Sequence, residues 1–511
     1  MKQNKILVGL FLTLILFSCT KLNESFRGEL EQNNSATITA AQLLTSAYES
    51  LNGPFIQGDL WHAMEHTSDE AIAPTRGKDW DDNGNWRALH AHTWNADQQQ
   101  LRGAFNGLLS SQFAASNVLQ FNPSAQQTAE ARFIRALTMY EVLDGWDQVP
   151  YRENLTDYKI LPKTLKGIEA ADFVISEVNA IMANLPDAGA AFLANKNAAR
   201  ALLMKVYLNK GVYANRATPT FAAADMTQVI TLADQIISSA KYSLNDIYYD
   251  NFSPDNDVKS KENIFTLFNN NPTNKGGNMQ GFTFQTHHYN MNPSGWNGFA
   301  TLSDFYDKFQ PTDKRRGMTY TYPGALPNPG NRQNVGFLLG QQYNLTTDAP
   351  LKARNPATAP LSFTREVKIK ETDVNTLELS GIRVLKYPFD YASPGGQKNN
   401  DFAIFRYADV LLMKAEAMLR TSGTAGALVI VNSIRAKRGA TALASLDLNG
   451  MLDERGREMY WEGWRRQDLV RFGKFLLPWQ EKAASAAKNL LFPIPSNQLA
   501  VNPNLTQNPG Y

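Results

Sequence analysis

The feature that most limits the fold of this chain is a set of helical segments interrupted by one long stretch without helical period. Before residue 245, apolar residues recur at helical spacing in alanine-rich segments at 40–52, 98–120, 128–140, 167–184, 197–211 and 222–240. Paired helices of this length, joined by short loops, are typical of tetratricopeptide-like packing. The sequence therefore predicts a mainly α fold built from such pairs, although the full tetratricopeptide consensus is absent.

The chain changes character between residues 245 and 400. Glycine, proline and asparagine cluster there, and only 263–268 and 382–387 alternate as short strands do. Helical order returns at 402 and continues through 425–438 and 450–464, and the tail is extended and rich in proline. Long loop-rich segments in compact proteins usually carry function. We therefore predict an N-terminal helical region at 19–244 with a ligand loop around 60–97, a loop-rich ligand-binding insertion with small β elements at 245–400, and a C-terminal helical region at 401–511.

The N-terminus has the parts of a lipoprotein signal peptide. Lys2 and Lys5 precede an apolar stretch at 6–17, which is too short to span a bilayer. A small residue, Ser18, stands directly before Cys19, as a lipoprotein signal peptidase requires, and Cys19 is the only cysteine of the chain. We predict that residues 1–18 are removed and that acyl chains such as palmitate on Cys19 anchor the mature protein to a membrane.

Composition limits the class of partner. The chain has 50 basic and 48 acidic residues and a formal net charge of +2, which gives no reason to expect binding to nucleic acid. Aromatic residues make up 11% of the chain and charged residues only 19%. Loops that present flat aromatic faces are therefore the expected recognition surface.

Four stretches match a known pattern in order and spacing. They are EARFIRAL at 130–137 with the turn GWDQVPY at 145–151, FRYADVLLMKAEA at 405–417, the Glu- and Arg-rich run at 453–473, and FPIP at 492–495 with NPNLTQNPGY at 502–511. Together they resemble the SusD-like (SusD/RagB) family of outer-membrane lipoproteins over essentially the whole chain. The turn departs from the family pattern, because Asp147 and Gln148 stand where Gly-Asp is usual.

The resemblance implies a fold with about four tetratricopeptide-like helix pairs. It also implies attachment to the outer membrane, facing the cell exterior, and a SusC-like TonB-dependent transporter as partner. Family members usually bind glycans, and some handle peptides. We therefore expect a protein that captures an oligosaccharide or polysaccharide and delivers it to the transporter, and that is not an enzyme and needs no cofactor.

The candidate ligand residues combine indoles with polar groups. Sugar rings have apolar faces that stack on indoles and hydroxyls that bond to Asp, Asn or Arg. In the insertion, Gln285, His287, His288 and Tyr289 cluster near a tryptophan. The alternative is that the tryptophans pack in the core. Our ligand-binding candidates are Trp80, Trp86, Asp69, Asp81 and Asn85 from the early loop, and Trp296 and Arg383 from the insertion.

Two motifs suggest metal sites. Asp79, Asp81 and Asn83 fit the opening D-x-D-x-N-G of a calcium loop, but His90 occupies the position where an EF-hand needs a bidentate Glu. A looser calcium site is the alternative to a solvated turn. His62 and His66 fit the zinc-peptidase pattern H-x-x-E-H, which would make the protein a surface metal-dependent hydrolase.

The C-terminal run carries Glu454, Glu458 and Glu462 at i, i+4 spacing, with Arg465 and Arg466 within ion-pair reach of Glu462. Carboxylates on one face of one helix cannot flank a sugar ring from both sides, as a glycosidase requires. We predict a structural ion-pair network that locks the terminal helices. A further alternative to ligand binding is a purely structural lid or adhesin, in which the loop of Trp80 and Trp86 would be dispensable for uptake.

Overall fold

The computed structural model of the chain describes residues 38–511 except 57, 153, 154, 158, 270–278 and 394–397. The predicted signal peptide and the lipidation site Cys19 lie outside the described residues, so both stay predictions. Ala40–Tyr511 form one compact unit, and the boundaries predicted at 244 and 400 stay predictions. In the part that the structure describes, no helix is long and apolar enough to cross a bilayer.

Helices dominate the described chain. Those of six residues or more are α1 (Ala40–Ser50), α2 (Asp59–Glu65), α3 (Asn85–His90), α4 (Gln99–Val118), α5 (Ala125–Trp146), α6 (Gly167–Ile181), α7 (Lys196–Ala214), α8 (Ala223–Ser238), α9 (Tyr407–Arg420), α10 (Thr424–Lys437), α11 (Leu448–Met459), α12 (Arg465–Arg471) and α13 (Ser496–Val501). Single helical turns occur at Asn52–Phe55, Asn256–Lys259, Gly281–Phe284 and Ser303–Tyr306.

The long helices pack as pairs. Helix α1 packs on α4, α5 on α6, α7 on α8, and α9 on α10, while α8 also contacts α9 and so joins the N-terminal and C-terminal helices. The predicted mainly α fold of four tetratricopeptide-like pairs is confirmed.

Local sequence explains where the longest helix begins and ends. Ser124 and Gln127 form a reciprocal capping box at the start of α5, which satisfies backbone donors that have no partner within the helix. The helix ends after Trp146 because Asp147 adopts a left-handed conformation with φ of 65°. Helix α5 is therefore longer at both ends than the predicted segment 128–140.

Helical order does not return at 402, as predicted, but at Tyr407. Phe402–Arg406 forms the strand β11, and all five of its residues are buried. A short, continuously apolar run is compatible with either a buried strand or a buried helix. Tertiary pairing decides the outcome, because β11 lies antiparallel to Asn263–Leu267. Similarly, α11 ends at Met459 rather than at the predicted residue 464.

The strands are short and form small separate sheets. They are β1 (Thr75–Arg76), β2 (Gln148–Tyr151), β3 (Lys163–Lys166), β4 (Asn263–Leu267), β5 (Gly317–Met318), β6 (Val335–Leu338), β7 (Gly340–Gln341), β8 (Ser362–Phe363), β9 (Lys370–Glu371), β10 (Arg383–Leu385) and β11 (Phe402–Arg406). The sheets pair β4 with β11, β1 with β9, β2 with β3, and β7 with β8, and in the three-stranded sheet the central strand β6 pairs with β10 and with β5. Strands β4 and β10 confirm the two strands predicted from alternation.

A buried ion network fastens the insertion to the C-terminal helices. Glu458 of α11 lies 2.8 Å from Arg438, 3.1 Å from Arg315 and 3.3 Å from Arg406, and all four side chains are inaccessible to solvent. Arg406 also pairs with Glu262 at 3.0 Å. The predicted network is therefore present, and it connects segments of the chain that are far apart in sequence.

The partners within that network differ from the predicted ones. Glu462 pairs with Lys386 and Arg406 and not with the arginines that follow it on the chain. Arg465 pairs instead with Asp69 at 2.6 Å, and Arg466 lies 3.6 Å from Asp144. Helix α11 ends before these arginines, so helical i, i+3 and i, i+4 spacing from Glu462 does not apply to them.

Candidate functional site

Two loops far apart in sequence are held together by Arg76. Strand β1 pairs in parallel with β9 and carries Arg76 into the interior. The guanidinium donates hydrogen bonds to the Leu377 and Gly298 carbonyls at 3.0 and 3.2 Å and to Ser380 Oγ at 2.8 Å. The early loop after β1 is therefore fixed against the insertion.

The turn after β1 has several residues in the left-handed backbone region. Trp80, Asn83 and Gly84 have φ of 59°, 53° and 80°, a region in which glycine and asparagine are the least strained. The Trp80 ring then lies against Gly298, where a Cβ atom would overlap the indole. Gly298 is required because the ring approaches the backbone so closely.

Trp80, Tyr289 and Trp296 form a surface that we call the aromatic platform. The Trp80 indole donates a hydrogen bond to the Trp296 carbonyl at 2.9 Å, and the Tyr289 hydroxyl donates to Asp79 Oδ2 at 2.8 Å. Trp80 is half-buried, whereas Trp296 leaves 52% of its surface exposed. The platform thus brings together Trp80 and Trp296, which were predicted separately from the early loop and the insertion.

Charged side chains lie at the edge of the platform. The Arg354 guanidinium lies 3.6 Å from the centre of the Tyr289 ring, 3.9 Å from Asp79 Oδ2 and 3.3 Å from Glu378 Oε1. A pocket of about 180 Å³ lies between Arg76, Asp79, Tyr289 and Arg354. This region of the chain thus carries an exposed indole, that of Trp296, and a pocket lined by groups that donate and accept hydrogen bonds, which are the two elements that recognise a sugar ring.

Trp86 is a core residue in this structure. Its ring is 7% exposed and contacts Trp80, Phe299 and two histidines, and its Nε1 donates to Asp82 Oδ2 at 2.7 Å. This corrects the prediction that its indole faces a ligand. Loss of the ring would leave a void against Trp80 and Phe299, so its removal is expected to destabilise the fold.

Arg383 and Asp69 are also taken up by internal contacts. The guanidinium of Arg383 is fully buried and donates to the carbonyls of Ser380, Gly381 and Glu378 and to Asn297 Oδ1. Both carboxylate oxygens of Asp69 accept from Arg465, at 2.6 and 2.8 Å. Burial acts to raise the pKa of Asp69, but Arg465 holds it below the usual range. The predicted ligand contacts of these two residues are corrected to structural roles.

The remaining loop candidates lie near the surface with separate partners. Asp81 pairs with Arg87 at 2.6 Å. The Tyr289 hydroxyl donates to Asp79 and not to Asp81. Asn85 is half-buried at the start of α3, and Asn83 is exposed. Across the described ranges, no group of three or more His, Cys, Asp or Glu is placed to hold a metal ion. Calcium binding by Asp79, Asp81 and Asn83 remains a prediction.

The two histidines of the H-x-x-E-H motif lie inside an aromatic cage. His62 and His66 of α2 contact the rings of Trp61, Trp86 and Phe299 at centroid distances of 4.3–5.8 Å. Burial lowers the pKa of His62 to about 4 and that of His66 well below its usual value. Both histidines are buried, with 7% of His62 and none of His66 exposed, so the geometry does not favour the hydrolase alternative.

The glutamate of the same motif is turned towards the C-terminal region. Glu65 Oε1 accepts from the Gly463 backbone N–H at 2.6 Å, and burial raises the pKa of Glu65 to about 7. A general base of a zinc peptidase must reach a water bound to the metal. Glu65 instead anchors the turn between α11 and α12.

A cavity that the sequence did not predict lies in the insertion. Its volume is about 430 Å³, within the range of ligand sites. We call it the insertion cleft. The tyrosines that line it are Tyr306, Tyr322, Tyr343 and Tyr391. They are spread over 86 residues without period, so no local sequence signal groups them.

Comparison with known proteins agrees with the fold. Residues 237–489 match the model of the SusD family. The chain belongs to the SusD family. It is 26% identical over 480 residues to the starch-binding protein SusD of Bacteroides thetaiotaomicron, covering 84% of this chain and 82% of that protein. It is also 26% identical to the SusD-like protein P38 of Formosa agariphila, over 76% of this chain and 74% of that one.

Solved structures share the fold of this SusD-family chain. A SusD superfamily protein from Parabacteroides distasonis superposes with a TM-score of 0.69 at 19% identity, covering 94% of this chain and all of that one. A laminarin-binding SusD-like protein gives a TM-score of 0.68 at 19% identity, covering 92% and 99%. Surface glycan-binding protein A of Bacteroides thetaiotaomicron, solved with laminarihexaose, gives 0.67 at 16%, covering 92% and 98%.

Proposed function

We propose that this SusD-family protein binds glycans at the cell surface and delivers them to a SusC-like TonB-dependent transporter of the outer membrane. The observation that carries the proposal is the exposed indole of Trp296, whose backbone carbonyl accepts from the Trp80 indole, together with the pocket lined by Tyr289, Asp79 and Arg354. Two of the similar proteins are named for binding starch and laminarin, which supports a glycan as the ligand class. These names describe binding and not catalysis.

The binding chemistry follows from the platform itself. The indole of Trp296 offers an apolar face on which the CH groups of a pyranose ring stack. Asp79 accepts hydrogen bonds from sugar hydroxyls, and Arg354 donates to ring or hydroxyl oxygens. The contact between Trp80 and the Trp296 carbonyl fixes the platform before a ligand arrives, which reduces the entropy lost on binding.

Anchoring and delivery rest on the sequence and the family. Lipidation of Cys19 would hold the chain at the outer membrane, and the SusC-like transporter would receive the glycan there. The test of this part is uptake by cells. A Cys19→Ala chain that is still exported should be released from the membrane and should lose glycan uptake; retention of full uptake would contradict the proposed delivery role.

Truncation of Trp296 tests the binding site. We expect Trp296→Ala to weaken binding of the preferred glycan roughly 30-fold, because an aromatic anchor at the centre of a site contributes about 2 kcal/mol. The measurement is calorimetric titration of the chain from residue 38 against a panel that includes starch and laminarin oligosaccharides. Product analysis after incubation would detect any hydrolysis.

A matched control separates the platform from a general effect of losing a surface ring. Phe113 of α4 is 48% exposed, similar to Trp296, and lies outside the platform. Phe113→Ala should bind as the wild type does. Equal affinity of Trp296→Ala and wild type would exclude the platform as the site, and a panel without any bound glycan would contradict the ligand class.

A further inference from the structure

We propose that the insertion cleft is a second saccharide-binding site and that it selects a sugar ring bearing an acidic group, a carboxylate or a sulfate ester. The proposal rests on the glycan-binding function proposed above and adds a second site and a substrate class. The single observation behind it is that Arg316 presents an unpaired guanidinium edge to a cleft without carboxylates.

The charge of the cleft lining is one-sided. Among the described residues that line the cleft are two arginines, Arg316 and Arg332, and neither Asp nor Glu. The charge of Arg332 is already balanced, because Asp348 outside the lining accepts from it at 2.7 Å, and its guanidinium lies 3.5 Å from the Tyr343 ring centre. Arg316 therefore supplies the uncompensated positive charge.

The contacts of Arg316 leave half of its guanidinium available. Nε donates to the Tyr306 hydroxyl at 2.8 Å, and Nη2 donates to the same oxygen. The other edge, Nη1 with the second Nη2 hydrogen, has no partner among the residues that the structure describes. Two parallel N–H groups on one edge are the geometry that binds a carboxylate or sulfate in a bidentate way.

The two carboxylates that flank Tyr306 and Arg316 in sequence, Asp307 and Asp313, have cations of their own. Asp307 pairs with Arg365, and Asp313 with Arg315 at 2.7 Å. A guanidinium without a counter-ion in a recessed site is an anion receptor.

The other walls suit a sugar ring. The Tyr322 hydroxyl donates to the Phe389 carbonyl, and the Tyr391 hydroxyl donates to the Asn292 carbonyl, both at 2.8 Å. These bonds fix aromatic rings around the cavity while Gln333 and Asn334 add amide groups to its lining. A volume of about 430 Å³ accommodates a small saccharide rather than a chain of many rings.

One loop contributes residues both to the insertion cleft and to the aromatic platform. His287 and Asn292 line the cleft, whereas Tyr289 lines the pocket at the platform and the Trp296 carbonyl accepts from Trp80. The loop is braced internally, because the backbone N–H of Asn297 donates to the His287 carbonyl at 2.8 Å. One glycan chain with acidic branches or residues could thus engage both sites, with the gain in avidity that two linked contacts provide.

The test compares acidic and neutral probes of the same size by calorimetry. The probes are tri-galacturonic acid against galactotriose, and galactose 6-sulfate against galactose. We expect the wild type to bind at least one acidic probe about ten-fold or more tighter than its neutral counterpart, and the difference to shrink at high salt. The two acidic probes distinguish a carboxylate from a sulfate ester.

Variants of Arg316 show whether the acidic group of the probe binds in the insertion cleft. Arg316→Gln should abolish the preference for the acidic probe, and Arg316→Lys should restore part of it, because lysine keeps the charge but not the fork. Arg365→Gln is the matched control, because Arg365 lies 5.5 Å from the same Tyr306 ring but does not line the cleft. It should bind as the wild type does.

Each other outcome is decisive. Equal affinity for acidic and neutral probes overturns the proposal. A preference that survives Arg316→Gln but disappears in Arg354→Gln places the acidic group at the platform and also overturns it. Failure of this inference leaves the platform intact if Trp296→Ala still weakens binding of a neutral glycan, so the two proposals fail separately. Unchanged thermal unfolding of Arg316→Gln shows that the variant is folded.

Discussion

Glu458→Gln is expected to lower the free energy of unfolding by about 3–5 kcal/mol, the typical cost of breaking a buried ion pair from one side. The carboxylate lies among three arginines that have no access to water. Burial acts to raise the pKa of Glu458, but these arginines hold it well below its usual range. Glutamine keeps the shape and removes the charge, so the arginines are left with an uncompensated positive charge. Equilibrium unfolding in guanidinium chloride at pH 7 measures the loss.

An exposed ion pair provides the control for Glu458. Lys437 and Asp246 pair at the surface, with 46% and 76% of their side chains exposed. Asp246→Asn should leave the free energy of unfolding close to that of the wild type, because solvent and salt screen such pairs. A Glu458→Gln protein as stable as Asp246→Asn would mean that the buried network contributes no net stability.

Acid should destabilise the protein through its buried histidines. All six histidines of the chain are buried. Burial lowers the pKa of His62, His90, His287 and His288 to about 4. A histidine whose folded pKa lies below its unfolded value of 6.5 contributes its full stability above pH 6.5 and loses it as the pH falls to about 4. For one such residue the loss corresponds to about 3 kcal/mol.

The contribution of one histidine can be isolated by difference. His62→Phe keeps an aromatic ring in the cage of Trp61, Trp86 and Phe299 and removes the titration. Between pH 7 and pH 4 the wild type should lose about 3 kcal/mol more than this variant, as measured by denaturant unfolding at each pH. A difference is needed because buried carboxyls such as Glu141, whose pKa burial raises to about 8, act in the opposite direction.

A variant in the same cage gives the control. Phe299→Leu changes packing against His62 and His66 but adds or removes no titratable group. Its stability should differ from that of the wild type by an amount that does not depend on pH. If the stability difference between His62→Phe and the wild type is also independent of pH, the imidazole of His62 is not the source of the acid sensitivity.

The helix pairs could be read from the sequence because helical period is a local property. Predicted segments such as 98–120 and 222–240 lie within two residues of α4 and α8. Strand β11 was mistaken for helix because its residues are buried on both faces, and only the partner strand β4 distinguishes the two. Local pattern therefore fails where a distant segment decides the conformation.

The site residues show the same limit. Trp80 and Trp296 were selected by chemistry, but their contact spans 216 residues and no spacing reveals it. Arg383 offers the same chemistry in sequence, yet its guanidinium is occupied by the carbonyls of the turn that precedes it. Arg316 was not selected, because its availability depends on which carboxylates other arginines occupy. Residue type identifies what a side chain can do, and the fold decides whether it is free to do it.

The pairing of β4 with β11 brings the two ends of the loop-rich segment side by side. Residues 268–401 leave the helical body at one strand and return at its neighbour, which lies about 5 Å away. Because its ends adjoin, this stretch can be replaced as one segment if its buried ion pairs to the C-terminal region are kept. We expect chimaeras cut at these two strands to fold when the donor keeps arginine and lysine at the positions of Arg315 and Lys386, which pair with Glu458 and Glu462, and to inherit the insertion cleft of the donor.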